Sequence, residues 1–237
     1  MRPPRRAAGD RGPLAAHRVP RAARDRGERR GFRLTKGETK ALHEQRLDTV
    51  LRELLQCGAR SVLDLGCGGG ELLLRLAREA QFERIVGIDV SPDALLDARA
   101  LLQAEPGALA GRLNLVEASF AVPDARFSGF DAAAMVETLE HIDAHRLSSV
   151  ERAVFGSYRP ATVVVTTPNS EYNPIHGTPP GSFRHPDHRF EWTRAKFRSW
   201  ARGVAGRNGY RVAFGDIGEP DAEVGSSTQM AVLTRAA

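Results

Sequence analysis

The 237-residue chain is long enough for one substantial α/β domain and short for two of ordinary size. Hydrophobic residues make up 41% and charged residues 27%, and no apolar run approaches the roughly 18 residues of a membrane-spanning helix, so a membrane role is not expected. The net charge of +5 is uneven: residues 1–36 hold 12 Arg or Lys against 3 acids, and residues 37–237 hold 22 against 26.

The basic opening segment lacks the continuous apolar core of a secretory signal, and its acids Asp10, Asp25 and Glu28 argue against an organelle transit peptide. Residues 1–36 therefore read as an extension outside the fold. It is either disordered, the product of an upstream start, or an arm that follows a polyphosphate backbone through counterion release. Residues 37–237 form the expected domain. From about Glu38, the spacing of Leu42, Leu47, Val50, Leu51, Leu54 and Leu55 predicts a lead-in helix that Gly58 stops. "SVLDLGCGGG" reads as a buried strand entering a glycine turn, and "ELLLRLAREAQ" as the helix after it.

The alternation continues with strand "RIVGIDV", helix "SPDALLDARALLQ", strands "LNLVEASF" and "FDAAAMVE", a helix through Leu147 to Phe155, and strand "TVVVTTPN". A long polar loop, Ser170 to Glu191, leads to helix "TRAKFRSWARGVAGRNG" and two strands, "YRVAFGDIG" and "TQMAVLTR", which are expected to pair as an antiparallel edge. Strands separated by helices imply an α/β fold with a doubly wound, mostly parallel sheet. Cys57 and Cys67 are the only cysteines and make no C-x-x-C pair, so a reducing cytoplasm is the expected location.

In such a sheet, ligands collect at the carboxyl ends of the strands near the switch point. Asp64 to Glu71 and Asp89 occupy those ends. A dinucleotide fingerprint beginning at Gly66 and Gly68 would put its third glycine where Glu71 stands, and the acid-first order Asp64, Gly66, Gly68, Gly70 fits better. That order resembles the first motif of class I (Rossmann-like) S-adenosylmethionine (AdoMet)-dependent methyltransferases. The resemblance implies that the glycine turn lets backbone approach the methionine part, that Asp89 accepts the ribose hydroxyls, and that Ser119 lies near the adenine.

"VETLEHID" places Glu137 at the end of the fourth strand, with Glu140 and His141 following at i+3 and i+4. In a starting helix these three share one face. Acids at a helix start are also explained by its dipole, so a metal reading needs a partner on the same rim. "RHPDHRFEWTR" offers His185, Asp187 and His188 after the fifth strand. Two imidazoles with two carboxylates suit manganese, iron, cobalt or zinc better than magnesium.

Together, "ETLEHID", "VVVTTPNSEYNP", "RHPDHRFEWTR" with "FRSWA", and "STQMAV" resemble the small-RNA 3′-terminal ribose 2′-O-methyltransferases of the HUA-enhancer type, over roughly residues 38–235. The resemblance implies a single divalent metal, manganese or magnesium with cobalt or iron as further options, bound by Glu137, Glu140, His141 and His188. His185 would lie beside the metal or contact the RNA end, and is the candidate proton acceptor and the fallback ligand. It implies an RNA 3′ end with a free 2′,3′-diol as substrate, no DNA, and a partner in small-RNA silencing or RNA repair. Arg184, Arg189 and Arg194 would hold phosphates, with Phe190 or Trp192 stacking on a base or, for Trp192 and Trp200, packing in the core. The rival readings are a metal-dependent methyltransferase of catechol-like small molecules and a non-catalytic RNA-end-binding protein.

Overall fold

The computed structural model describes residues 36–105 and 111–236. The expected basic extension, residues 1–36, lies outside these except for Lys36, the first residue of helix α1 (Lys36–Gln56). Seven strands follow: β1 (Ser61–Leu65), β2 (Arg84–Asp89), β3 (Leu113–Glu117), β4 (Ala132–Val136), β5 (Thr162–Pro168), β6 (Tyr210–Ile217) and β7 (Thr228–Arg235). Their order across the sheet is β3-β2-β1-β4-β5-β7-β6, with β1 to β5 parallel and β7 antiparallel to both of its neighbours. The doubly wound architecture read from the sequence is thus the observed one. The antiparallel pair enters with β7 inside and β6 as the edge.

Strand alternation builds two cores. Leu63, Val86, Ala133, Met135, Val163 and Val165 face one side with Phe155, Phe197, Ala201 and Val204, while Val62, Ile85, Ala134 and Val164 face the other with Val50, Leu54, Leu73 and Leu102. The covering helices include α2 (Glu71–Arg78), α3 (Pro92–Gln103) and α5 (Arg194–Asn208). Ser91 caps α3 by accepting the Ala94 N–H, Pro92 opens it, and Thr193 caps α5 by accepting the Lys196 N–H. The helix expected through Leu147 to Phe155 is α-helical only as α4 (Leu147–Val150). It then widens into π turns over Glu151–Tyr158, closed by the Arg159 N–H on the Val154 carbonyl at 3.0 Å.

Strand order reverses between β1 and β4, which leave on opposite sides of the switch point. The carboxyl ends of β1, β2, β4 and β5 therefore bring Asp64, Asp89, Glu137 and Thr167 to one rim. No helix among the described residues is long and apolar enough to cross a membrane.

Candidate active site

The glycine turn after β1 is dictated by its backbone. Gly66, Gly68 and Gly70 have φ of 84°, 50° and 86°, a region costly for any residue with a Cβ. A Cβ on Gly66 would lie 2.5 Å from Thr138 Cγ2, and one on Gly70 would lie 3.0 Å from Ala98 Cβ, so the turn is also pressed between neighbours. Asp89 ties the turn down: one carboxylate oxygen accepts the Gly68 N–H and the other the Ser91 N–H, both at 2.9 Å. Each oxygen keeps a lone pair for further donors.

Asp64, Gly66, Gly68, Asp89 and Ser119 line one cleft of about 560 Å³, and Glu137 and His141 line it too. Gly70 instead caps α2 behind the wall. Asp64 is 2% exposed, and its Oδ2 has no partner. Burial, followed by the charges of Asp89 and Glu71, pushes its carboxyl up to about 7.

A second cleft of about 500 Å³ opens on the other side of Glu137, lined by Arg46, His176, Phe183, Arg184 and His188. Between the two clefts sits a compact ligand group. Glu140, His141 and His188 each offer one donor atom, all within 4.8 Å of one another. Glu140 is completely buried, its Oε2 accepts the Thr167 hydroxyl at 2.9 Å, and its Oε1 is unpaired. Its pKa is raised by desolvation and then by the neighbouring Glu137. His188 Nδ1 meets Glu191 Oε1 at 2.6 Å, a carboxylate that orients the ring and leaves Nε2 as the free donor. Desolvation, then His188 and His185, hold the His141 imidazole below its ordinary pKa, favouring the neutral form a cation needs.

The local geometry differs from a helix start. Glu137 adopts φ 52°, a left-handed conformation that is strained for a residue with a side chain, and Leu139–His141 form a single 3₁₀ turn. The shared helical face expected of Glu137, Glu140 and His141 is therefore replaced. The turn delivers Glu140 and His141 to His188, while Glu137 Oε2 lies 3.3 Å from Arg46 Nη2 on α1. Glu137 Oε1 is unpaired and buried. His185 is on the rim, its ring 6.0 Å from that of His141 and 5.6 Å from that of His188.

The loop bearing His188 is fixed by a polar network. The Arg189 N–H donates to the Glu140 carbonyl at 2.7 Å, tying the two halves of the ligand group together. Arg184 donates to the Asn169 carbonyl, to Asn173 Oδ1 at 2.6 Å and to Ser227, and its backbone N–H reaches Glu191 at 2.7 Å. Gln229 donates to the carbonyls of Pro168 and Trp192 at 3.0 and 2.9 Å. Arg184 and Arg194 are thus engaged in holding the fold, the latter through Glu171. Arg189 is exposed, 3.7 Å from Asp143. Phe190 and Trp192 stack on each other in the core with centroids 4.4 Å apart, which removes both as platforms for a base.

Among the described residues, six buried side-chain polar atoms lack a hydrogen-bond partner. Five of them, on Arg46, Asp64, Glu137, Thr138 and Glu140, gather at this rim. Buried polar atoms are normally satisfied, so this concentration singles out the rim as the candidate ligand site. Oxygens and imidazole nitrogens facing one point fit a divalent cation, and an unpaired carboxylate beside a glycine turn fits an ammonium.

A sequence model described as a methyltransferase domain matches residues 63–160. The small RNA 2′-O-methyltransferase of Xenopus tropicalis is 35% identical over 203 residues, covering 82% of this chain and 55% of that protein. The crystal structure of the methyltransferase domain of bacterial CtHen1-C is 47% identical with a TM-score of 0.74, covering 83% of this chain and 100% of that one. The chain belongs to the Hen1 family of small-RNA methyltransferases. Its sheet is therefore the class I AdoMet-dependent methyltransferase fold. A second Hen1 crystal structure, of a small RNA methyltransferase, is 30% identical with a TM-score of 0.75 and is covered only to 26% of its length. The chain spans about half the length of the vertebrate Hen1 relative it matches.

Arg46, Thr167, Glu191, Ser227 and Gln229 were not legible as site residues. Each looks like an ordinary helix, strand or loop residue, and the sequence signal was only that Thr167, Glu191, Ser227 and Gln229 fall within "VVVTTPNSEYNP", "RHPDHRFEWTR" and "STQMAV", the stretches that carry the resemblance.

Proposed function

We propose that this chain transfers the methyl group of AdoMet to the 2′-hydroxyl of the 3′-terminal nucleotide of a small RNA. The observation that supports it is the pair of clefts meeting at Glu137, with the Glu140–His141–His188 group between them. In this reading AdoMet occupies the cleft of the glycine turn. Asp64 accepts its ammonium and Asp89 its ribose hydroxyls, while Gly66 and Gly68 admit it to the backbone. Ser119 lines the adenine end. The terminal nucleotide enters the second cleft.

Glu140, His141 and His188 would hold a divalent cation, with Glu137, now paired to Arg46, as the fourth ligand. When bound, such an ion supplies Lewis-acid polarisation of the terminal hydroxyls and a fixed orientation for in-line transfer. The unpaired Oε1 atoms of Glu137 and Glu140 are the donors prepared for it. His185 takes the proton at Nε2, because its Nδ1 already accepts the Asp187 N–H at 3.3 Å. Phe120 lends the AdoMet cleft an apolar wall.

The vicinal diol is the recognition element. RNA ending in 2′-deoxyribose or in a 3′-phosphate is expected to receive no methyl group, measured by transfer from radiolabelled AdoMet with manganese present. Efficient transfer to either end would assign the site to another acceptor.

A further inference from the structure

His176 stands in the second cleft and has no part in the reading above. Its Nε2 lies 2.7 Å from Ser227 Oγ, and Ser227 is buried. Arg184 Nη1 donates to that same Oγ at 3.0 Å. A guanidinium has no lone pair to offer, so Ser227 accepts from Arg184 and sends its own proton elsewhere. His176 Nε2 is the acceptor within reach. If His176 were the donor here, the buried hydroxyl proton of Ser227 would be left unsatisfied. The chain Arg184 to Ser227 to His176 therefore fixes the tautomer: Nε2 accepts and Nδ1 carries the hydrogen.

Nδ1–H has no protein partner among the described residues. The ring is half-buried, and desolvation followed by the positive Arg184 pushes its pKa down to about 4, so it stays neutral at physiological pH. The cleft that His176 lines also holds the guanidiniums of Arg46 and Arg184, of which Arg46 Nε is buried and unpaired. Two guanidiniums against the single carboxylate of Glu137 leave this cleft net positive, and although Arg184 is hydrogen-bonded within the fold its charge still faces the cavity; with a fixed N–H donor, the cleft matches an anionic acceptor oxygen.

We propose that His176 is a specificity-determining residue that donates its Nδ1–H to a phosphate oxygen of the last phosphodiester of the acceptor strand. This rests on the assignment of the second cleft to an RNA 3′ end. A donor fixed by the Arg184–Ser227 chain reads the position of that phosphate without titrating. It sets the depth at which the terminal ribose stops beside the ligand group.

The test is equilibrium binding of a short 3′-hydroxyl RNA to the full chain with manganese and S-adenosylhomocysteine, where no turnover occurs. His176→Ala is expected to weaken binding about tenfold, the usual scale for one lost hydrogen bond to a charged group. His176→Asn, whose amide nitrogen falls near Nδ1, retains most of the affinity, and His176→Gln, which mimics Nε2, does not. A methylphosphonate at the last linkage weakens binding to the unmodified protein and adds nothing to His176→Ala. Manganese affinity is unchanged in all three variants, which shows that they fold. Equal loss in the Asn and Gln variants would overturn the tautomer. Unchanged binding of His176→Ala would overturn the contact, and a His176 dependence that persists on the methylphosphonate but disappears on a terminal abasic nucleotide would move the contact to the base. Failure of the RNA-methylation reading is visible separately: RNA would bind with this His176 dependence and yet accept no methyl group.

Discussion

Glu140 is the residue on which the proposed cation site depends most, since it is wholly buried, holds one oxygen on Thr167 and leaves the other unpaired. An isolated buried carboxylate is costly, and a cation resting against it offsets that cost. Glu140→Gln and His188→Ala are each expected to lower manganese affinity by about 10- to 100-fold or more in titration calorimetry, and to abolish methyl transfer, with AdoMet affinity little changed. Unaltered manganese binding in both would remove the ligand assignment.

Asp64 yields a pH prediction. In the proposed AdoMet site its ionised form accepts the ammonium, and in the free protein burial, then Asp89 and Glu71, push its pKa up to about 7. AdoMet affinity should therefore be full above about 7 and fall with decreasing pH, by up to about tenfold per unit. The sign for the free protein is opposite. A pKa raised from 3.8 means that Asp64 favours folding at low pH and that this contribution is lost as pH rises through about 7. Binding measured from pH 8 to below 6 checks it; Asp64→Asn should flatten the profile, and an equal slope in that variant would place the titrating group elsewhere.

At the scale of elements, the decisive contacts join segments far apart in sequence. The β4 end supplies Glu137 and, through a 3₁₀ turn, Glu140 and His141. The loop after β5 supplies His188. β7 supplies Gln229, which holds the carbonyls of Pro168 and Trp192. The glycine turn was readable from residues alone because Gly66, Gly68 and Gly70 answer a local demand for positive φ. The ligand group was less so. Helical spacing put Glu137, Glu140 and His141 on one face, whereas the chain reaches the same neighbourhood through a left-handed Glu137, a conformation that no periodicity announces.

Arg46 was invisible because its partner Glu137 is brought to it only by the packing of α1 over the strand ends. Glu191 looked like a loop acid and instead orients His188. Glu191→Gln should weaken manganese binding about tenfold while leaving the melting temperature within a few degrees, as second-layer partners of metal-binding imidazoles do. A melting temperature that collapses with unchanged metal affinity would make Glu191 a structural residue of the Arg184 network.

At the scale of the molecule, the strand order β3-β2-β1-β4-β5-β7-β6 explains why one rim holds everything. Parallel strands all deliver their carboxyl ends to the same side, and the reversal between β1 and β4 opens the crevice there. This level was the most legible, because alternation of apolar strands with helices constrains the topology strongly. The placement of β7 inside β6 is a long-range pairing that only the assembled sheet decides.

The proposed function joins two clefts meeting at a cation-ready ligand group in one reaction, methylation of a terminal ribose. It is tested most directly by incubating the protein with methyl-labelled AdoMet, manganese and a short 3′-hydroxyl RNA and then treating the product with periodate, which cleaves only a free 2′,3′-diol. Labelled RNA that resists periodate is expected, with label and resistance both lost when the metal is chelated beforehand. Labelled RNA that remains fully periodate-sensitive would place the methyl group elsewhere and contradict it.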